Sequence, residues 1–336
     1  MNSSLCLRLI LPLLCLLIST FDCTAQEQTI EDREQRIRIA MEPATEYLRK
    51  ANGHALLVYK NDFLIYEEYL NGHESTQPHV LASGTKSFSA ALLNVAQQDG
   101  LLTLDEKVSD TITEWKTRTH LSEVTIRDLL SLTSGIDPGP TGRVPIYAIA
   151  IKANALEPPG TKFQYGPIPY QVFGELMRRK LAPQDENVDG YLTRRVFDPI
   201  GMKVALWRKG PDGQPHMPSG IFLTAREWAK YGLLICNRGV HEGKPLLDQK
   251  LLEECFQGSK AQPGYGITFW LNRTGVGPDD MVMAAGKGKQ KLYISPSTGV
   301  VIVQFAQTAA PEYKEEVFLN KLPKRLWTPR PIASGN

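Results

Sequence analysis

What most restricts the fold of this chain is that its strand-like segments stand at its two ends, separated by a mainly helical stretch from Ser83 to about Leu252. Near the start, His54–Tyr59 and Leu64–Leu70 are apolar, β-branched and aromatic runs around Lys60-Asn61-Asp62, whose Asn and Asp favour a tight turn; they predict a β-hairpin. Near the end, Met281–Ala285, Lys289–Ser295 and Val300–Ala306 predict three more strands, the last two joined by the turn Ser295-Pro-Ser-Thr-Gly299. Helical patterns bracket both sets, Ile30–Lys50 before and about Pro311–Leu326 after. Strands at both ends of one chain are expected to join in a single antiparallel sheet. The intervening helices, predicted over Ser83–Gln98, Thr125–Leu132, Tyr170–Lys180, Tyr191–Phe197 and Thr224–Asn237, are expected to form a second lobe. A cleft between sheet and helices is where a small-molecule site is expected.

Composition narrows the function. The chain has 336 residues, 38 basic and 36 acidic, for a formal charge of +2, with no basic block or aromatic-basic interleaving, so nucleic acid is not an expected partner. The first 25 residues read as a processing segment: Arg8, the apolar run Leu9–Ile18, then Cys23-Thr24-Ala25, with cleavage expected after Ala25. The alternative is a membrane-anchored structural protein, but the run is shorter than a spanning helix and holds Pro12, so export and no lasting anchor are expected. Cys23 does not complete a lipobox, because Asp22 precedes it and Thr20 stands where Leu is usual. Three of the five cysteines leave with that segment; Cys236 and Cys255 remain, and their pairing is left open.

Chemistry is suggested first by Ser83-Gly84-Thr85-Lys86. A serine hydroxyl is a weak nucleophile unless a base takes its proton, and a lysine three residues on along a helical segment lies on the same face and can do so once burial depresses its pKa. By itself S-x-x-K arises by chance about once in a chain this long, and the alternative is a capped surface helix. Its standing comes from being the only such spacing here and from following a β-hairpin in the apolar context Val80–Phe88. The second candidate is Tyr165, held after the Pro/Gly loop Glu157-Pro-Pro-Gly160, where a phenol beside a lysine can relay protons; as an isolated residue it would be read as core. Other constellations are missing: there is no G-x-S-x-G elbow and no H-E-x-x-H. His73, His79 and His120 read as loop residues, and His216 as a surface residue close to the cleft.

The ordered stretches Ser83–Phe88, Val124–Gly135, Glu157–Tyr165, Asp198–Met202, Thr224–Gly232, Asn237–Lys244 and Gly264-Tyr-Gly266 resemble the serine β-lactamase and penicillin-binding-protein superfamily along nearly all of the chain after the leader. Within it the chain looks most like the branch of 6-aminohexanoate-dimer hydrolase and family VIII esterases. The resemblance implies a nucleophile at Ser83, a proton acceptor at Lys86, a proton-shuttling tyrosine at Tyr165, and no metal or organic cofactor. Two departures stand out. The family's Tyr-x-Asn is here Tyr165-Gly166-Pro167, and Pro167 has no amide to bond an acylamide substrate. The family's Lys/His-Thr/Ser-Gly strand is here Ala284-Ala285-Gly286-Lys287-Gly288-Lys289-Gln290, whose Gly-x-Gly-x-Gln order resembles the dimer-hydrolase branch. By that match the N–H groups of Ser83 and Lys287 would form an oxyanion hole, with Gly286 and Gly288 letting substrate approach the strand. The alternative is a glycine-rich edge that permits close packing.

The expectation is therefore an α+β chain: a signal peptide over 1–25, then a β-lactamase-like domain over 26–336. Its sheet lobe, 26–82 and 262–336, carries an antiparallel five-stranded sheet flanked by terminal helices, and its mainly helical lobe spans 83–261. The expected activity is a serine hydrolase acting on an ester or amide of a small molecule outside the cytoplasm, periplasmic or secreted. β-Lactamase or D-aminopeptidase activity, and a non-catalytic ligand-binding protein using the same cleft, are the alternatives. Acyl preference, oligomeric state and the placement of loops such as Asp137–Val144 are not readable from the sequence.

Overall fold

The computed structural model describes residues 11–272, 274–307 and 312–330. Its first helix, α1 (Leu11–Lys50), runs beyond the helix expected from Ile30. Residues 31–36 are exposed, and the packed stripe begins further on, with Met41, Ala44, Thr45 and Leu48 buried at helical spacing. Ile39 points to solvent at 64% exposure. The first ten residues, with Arg8, lie outside the described residues, and the expected cleavage point after Ala25 falls within α1. No described helix is long and apolar enough to cross a membrane.

The expected hairpin follows as β1 (Gly53–Lys60) and β2 (Phe63–Tyr69). Its turn residues Asn61 and Asp62 both have positive φ, 50° and 69°, the backbone that two-residue hairpin loops require and that Asn and Asp tolerate. A short strand β3 (His79–Val80) leads into a 3-10 segment, Ala82–Ser87, and then α2 (Phe88–Gln98). The stretch read as one helix from Ser83 is thus a tighter turn before a helix. Next come α3 (Ile126–Leu130), opened by a capping box between Thr125 and Asp128, and α4 (Ile168–Leu181). After α4 lie β4 (Leu206–Trp207), β5 (Ile221–Leu223) and α5 (Ala225–Cys236), capped by Thr224. β3, β5 and β4 make a small sheet under the helical region.

The chain returns to the main sheet with β6 (Trp270–Leu271), β7 (Val282–Gly286), β8 (Gln290–Ser295) and β9 (Val300–Ala306), and closes with α6 (Glu315–Lys321). Pro311, where that last helix was expected to start, lies outside the described residues. Strand order is β2-β1-β9-β8-β7-β6, antiparallel throughout, so the two chain ends meet where β1 pairs with β9 from Gly53↔Ala306 to Lys60↔Val300. The five expected strands are present, and the short β6 adds a sixth at the edge. Every residue of β9 is buried, as a central strand with both faces covered must be. Val301, Val303 and Phe305 face the helical core, and Val300 and Ile302 face α1 and α6. The fold is a large antiparallel sheet with terminal helices on one face and a helical region on the other.

Candidate active site

Ser83 stands in the 3-10 segment directly after Ala82, whose φ of +47° is a left-handed backbone that costs a residue with a Cβ on the order of 1–3 kcal/mol. The surroundings hold that segment in place. Leu81 N–H donates to Ile221 O at 2.9 Å, and the Thr85 hydroxyl accepts from Gly220 and Ile221 N–H at 3.2 and 3.3 Å. Tyr231 OH donates to Ser87 O at 2.7 Å. Gly84 lies on the Trp228 indole, where a Cβ would come within 2.9 Å of the ring.

The same segment carries Lys86 inward, to 4% exposure. Its Nζ lies 3.1 Å from Ser83 Oγ and 3.1 Å from the carbonyl oxygen of Pro218, and sits over the rings of Tyr165 and Tyr170 at 4.8 and 5.4 Å. No carboxylate pairs with it among the described residues, and burial alone pushes its pKa down from 10.5 to about 7. Ring faces and a carbonyl ease the charged form less than a carboxylate would, so about half of the amine is neutral at pH 7.

Tyr165 is half-buried on the other side of Lys86, stacked on Trp270 at 5.9 Å and edge-on to Tyr265 at 6.4 Å. Burial raises its pKa above the ordinary phenol value, and its hydrogen bond with Ser83 opposes this in part. Tyr165 is therefore a neutral phenol at pH 7. Behind it, Tyr170 OH donates to Leu130 O at 3.0 Å, so Tyr265 OH is the donor in the 2.8 Å contact between the two phenols. These three tyrosines and Trp270 form a rigid aromatic wall.

The third side of the site is the end of β7 and the three-residue turn to β8. Gly286 packs directly on the segment of Ser83: a Cβ there would lie 2.0 Å from Leu81 O. The close approach that this glycine permits is therefore to the chain itself. Gly288 turns with φ +83°. Gln290, 1% exposed, donates from its amide to the carbonyls of Lys287, Gly288 and Ala306 and accepts from Ala306 N–H at 3.1 Å, which fixes the Lys287 peptide relative to β9. Ser83, Tyr165, Trp270, Gly286 and Lys287 line one cavity of about 530 Å³, with Thr141 of the Asp137–Val144 loop at its rim.

The structure thus brings Ser83, Lys86, Tyr165, Gly286 and Lys287 together, while Gly288 serves the turn behind them. Sequence reasoning missed Pro218, because a backbone carbonyl carries no residue-type signal. It also missed the support that Trp228 gives the remote Gly84 and, although it placed Gln290 in the glycine-rich motif, the bonds by which that amide holds the turn and Ala306. His73 lies in a loop as expected, whereas His79 is on β3; both cluster with His54 at ring separations of 5.0–5.8 Å, and His79 stacks on Phe305 while His73 meets it edge-on. Cys236 and Cys255 are both free and buried. His216 is half-buried, its N–H donating to Arg208 O at 2.9 Å.

A serine and a neutralised lysine on one turn, between an antiparallel sheet and a helical region, define a protein of the penicillin-recognising type in fold. The family model described as Beta-lactamase matches residues 40–322, and the chain belongs to that family. Among solved structures, a Bacillus anthracis protein assigned as a 6-aminohexanoate-dimer hydrolase superposes with a TM-score of 0.70 at 22% identity, covering 82% of this chain and 79% of that one. EstCE1, a hydrolase with promiscuous acyltransferase activity, gives 0.68 at 15% identity over 90% of this chain and 100% of its own. A penicillin-binding protein homologue from Caulobacter crescentus gives 0.66 at 16% identity over 83% and 95%. At these identities the likeness is one of fold. No curated protein matches the chain.

Proposed function

We propose that the protein is a serine hydrolase that forms an acyl-enzyme on Ser83 and cleaves an ester or amide of a small substrate. The observation that carries this reading is the buried, carboxylate-free amine of Lys86 at 3.1 Å from Ser83 Oγ. Neutral Lys86 takes the Ser83 proton as Oγ attacks the carbonyl carbon. The oxyanion that forms is placed at the Ser83 and Lys287 N–H groups, beside the turn that Gln290 fixes. Tyr165, protonated at neutral pH, passes its proton to the leaving alcohol or amine and recovers one from Lys86, which ends neutral. Water then loses a proton to the same pair, attacks the acyl carbon and releases the carboxylic acid, and Ser83 regains its hydrogen.

Pro167 stands where an amide would help seat an acylamide, so esters and short amides suit the site better than β-lactams. We further infer that residues 1–25 direct export, on the strength of Arg8, the apolar run Leu9–Ile18 and the small residues Thr24-Ala25 before Gln26. The test is a fluorophosphonate probe with mass-spectrometric location of the adduct. Labelling of Ser83 that disappears in Lys86→Ala supports the reading. An unlabelled Ser83 in folded protein leaves a ligand-binding role for the cleft.

A further inference from the structure

A second cavity, of about 610 Å³, shares no lining residue with the one that holds Ser83. It opens on the face of the sheet that α1 covers, where Met41 and Leu326 belong to the smaller of the two apolar clusters. Its floor is apolar: Ile37 and Met41 come from α1, Ile65 from β2, and Pro323 and Leu326 from the chain after α6. Four cations line it, Arg33, Arg36, Lys60 and Arg325, against one carboxylate, Asp32. None of the four forms an ion pair among the described residues.

Lys60 shows what that imbalance costs. Its Nζ donates to the carbonyl oxygens of Thr298 and Thr328 at 2.7 Å and of Leu326 at 2.9 Å. Three acceptors engage all three N–H bonds of an ammonium, so Lys60 is a fixed cation balanced by dipoles alone. Burial first, and Arg330 second, hold its pKa below the ordinary lysine value. An anion bound in the cavity offsets that penalty.

The cavity runs on into another of about 510 Å³, with which it shares Arg33, Ile37, Lys60 and Ile65. This extension reaches the hairpin turn at Phe63 and Leu64, which are 75% and 38% exposed. Phe63 is the most exposed large apolar side chain among the described residues, and the turn does not need it, because Asn61 and Asp62 supply the reversal. Arg36 and Arg325 border only the first cavity, Phe63 and Leu64 only the second. The groove is therefore cationic at one end and apolar at the other, with Ile37 and Ile65 between. A concave floor of this kind takes one chain lengthwise, whereas a bilayer surface would meet only its rim.

We propose that this groove binds a long-chain carboxylate, with its head on Arg36 and Arg325 and its chain along Ile37 and Ile65 towards Phe63. Guanidinium groups hold a carboxylate through paired hydrogen bonds, and each CH2 withdrawn from water strengthens binding about fourfold. The site stands apart from the chemistry at Ser83 and does not depend on it.

Isothermal titration calorimetry of the purified protein with dodecanoate tests the site. The expected result is one ligand per chain, with affinity rising about fourfold per CH2 from octanoate to dodecanoate. Dodecyltrimethylammonium, of equal chain length and opposite charge, should bind about tenfold more weakly or not at all. Arg36→Gln combined with Arg325→Gln should weaken dodecanoate about tenfold, and Phe63→Ser should weaken tetradecanoate more than octanoate. All three side chains are exposed, so these variants should melt as the parent does. Dodecanoate binding that is unchanged in the double glutamine variant places the chain elsewhere and overturns the site. Equal affinity for the ammonium analogue overturns it as well, because the cations then select nothing. Absence of saturable binding also overturns it, and flotation of the protein with phosphatidylglycerol vesicles in that case assigns this face to a membrane surface.

Discussion

Replacing Lys86 by Met should stabilise the protein near neutral pH while removing its chemistry. The folded pKa of about 7 lies below the ordinary 10.5 by 10.5 − 7, or about 3.5 units, because the ammonium is desolvated. A group whose folded pKa is depressed in this way binds its proton more readily in the unfolded chain, so stability is lost as pH falls from 10.5 towards 7 and is level below that. At about 1.4 kcal/mol per unit, and with the folded amine half protonated at pH 7, burial of Lys86 costs roughly 4 kcal/mol at pH 7 and about 2 kcal/mol at pH 9. Met fills a similar volume without that cost, but it forfeits the hydrogen bonds to Ser83 Oγ and Pro218 O and leaves the carbonyl unpaired, which takes back about 2 kcal/mol. Lys86→Met is therefore expected to gain about 2 kcal/mol at pH 7 and close to nothing at pH 9. Urea unfolding followed by tryptophan fluorescence across that range reads the difference directly. A Lys86→Met protein that is less stable than the parent at pH 7, or whose stability difference does not change with pH, would refute the claim that Lys86 is held neutral by burial.

Other expectations follow from the same geometry. The rate of Ser83 acylation should rise with pH to a plateau with its midpoint at about 7, tracking the neutral fraction of Lys86; stopped-flow release of 4-nitrophenol reads it, and a midpoint near the ordinary lysine value would assign the base elsewhere. Gln290→Leu should cost roughly 2–4 kcal/mol by leaving Ala306 N–H and the turn carbonyls unpaired. It should also lower kcat by about 10- to 100-fold with a smaller change in KM, because the turn that follows the Lys287 N–H is no longer tied to Ala306. Acidification from pH 6.5 towards 4 should destabilise the fold. Burial and the neighbouring rings of His54 and His79 hold the His73 pKa down at about 4, so that residue alone should cost up to about 3 kcal/mol, and His73→Phe should flatten the profile in thermal melts. N-terminal sequencing of exported protein is expected to start at Gln26, and an intact Met1 in the membrane fraction would overturn the leader assignment.

The strands and most helices were legible because each is written in local periodicity. β9 was read to the residue, and the turns at Asn61-Asp62 and Ser295–Gly299 followed from residues that accept positive φ or reverse direction. Ser83, Lys86 and Tyr165 were singled out as candidates from spacing, context and resemblance, and the fold brings them side by side. What escaped was the part of the site made by chain segments meeting across the fold. The 3-10 geometry at Ala82–Ser87 is imposed by Leu81 and Thr85 bonding to the strand at Ile221, and no propensity of Ser-Gly-Thr-Lys announces it. The three histidines come from β1, a loop and β3, and only the sheet brings them into contact.

That last cluster bears on the site, because His79 stacks on Phe305, Phe305 stacks on Trp228, and Trp228 supports Gly84 beside the nucleophile. β3 also leads within three residues to Ser83, so the histidines and the serine share both a packing chain and a backbone connection. The ring nitrogens His54 Nδ1 and His73 Nε2 are buried without hydrogen-bond partners, which makes protonation there costly to the local packing and not to a compensating ion pair. Loss of activity at mild acid would then have two separable origins. Protonation of Lys86 acts with a midpoint near 7 and is reversed at once on raising the pH, whereas disruption of the histidine cluster acts lower and perturbs tryptophan fluorescence through Trp228. The first removes the base from an intact site; the second moves the turn on which the base and the nucleophile are both carried.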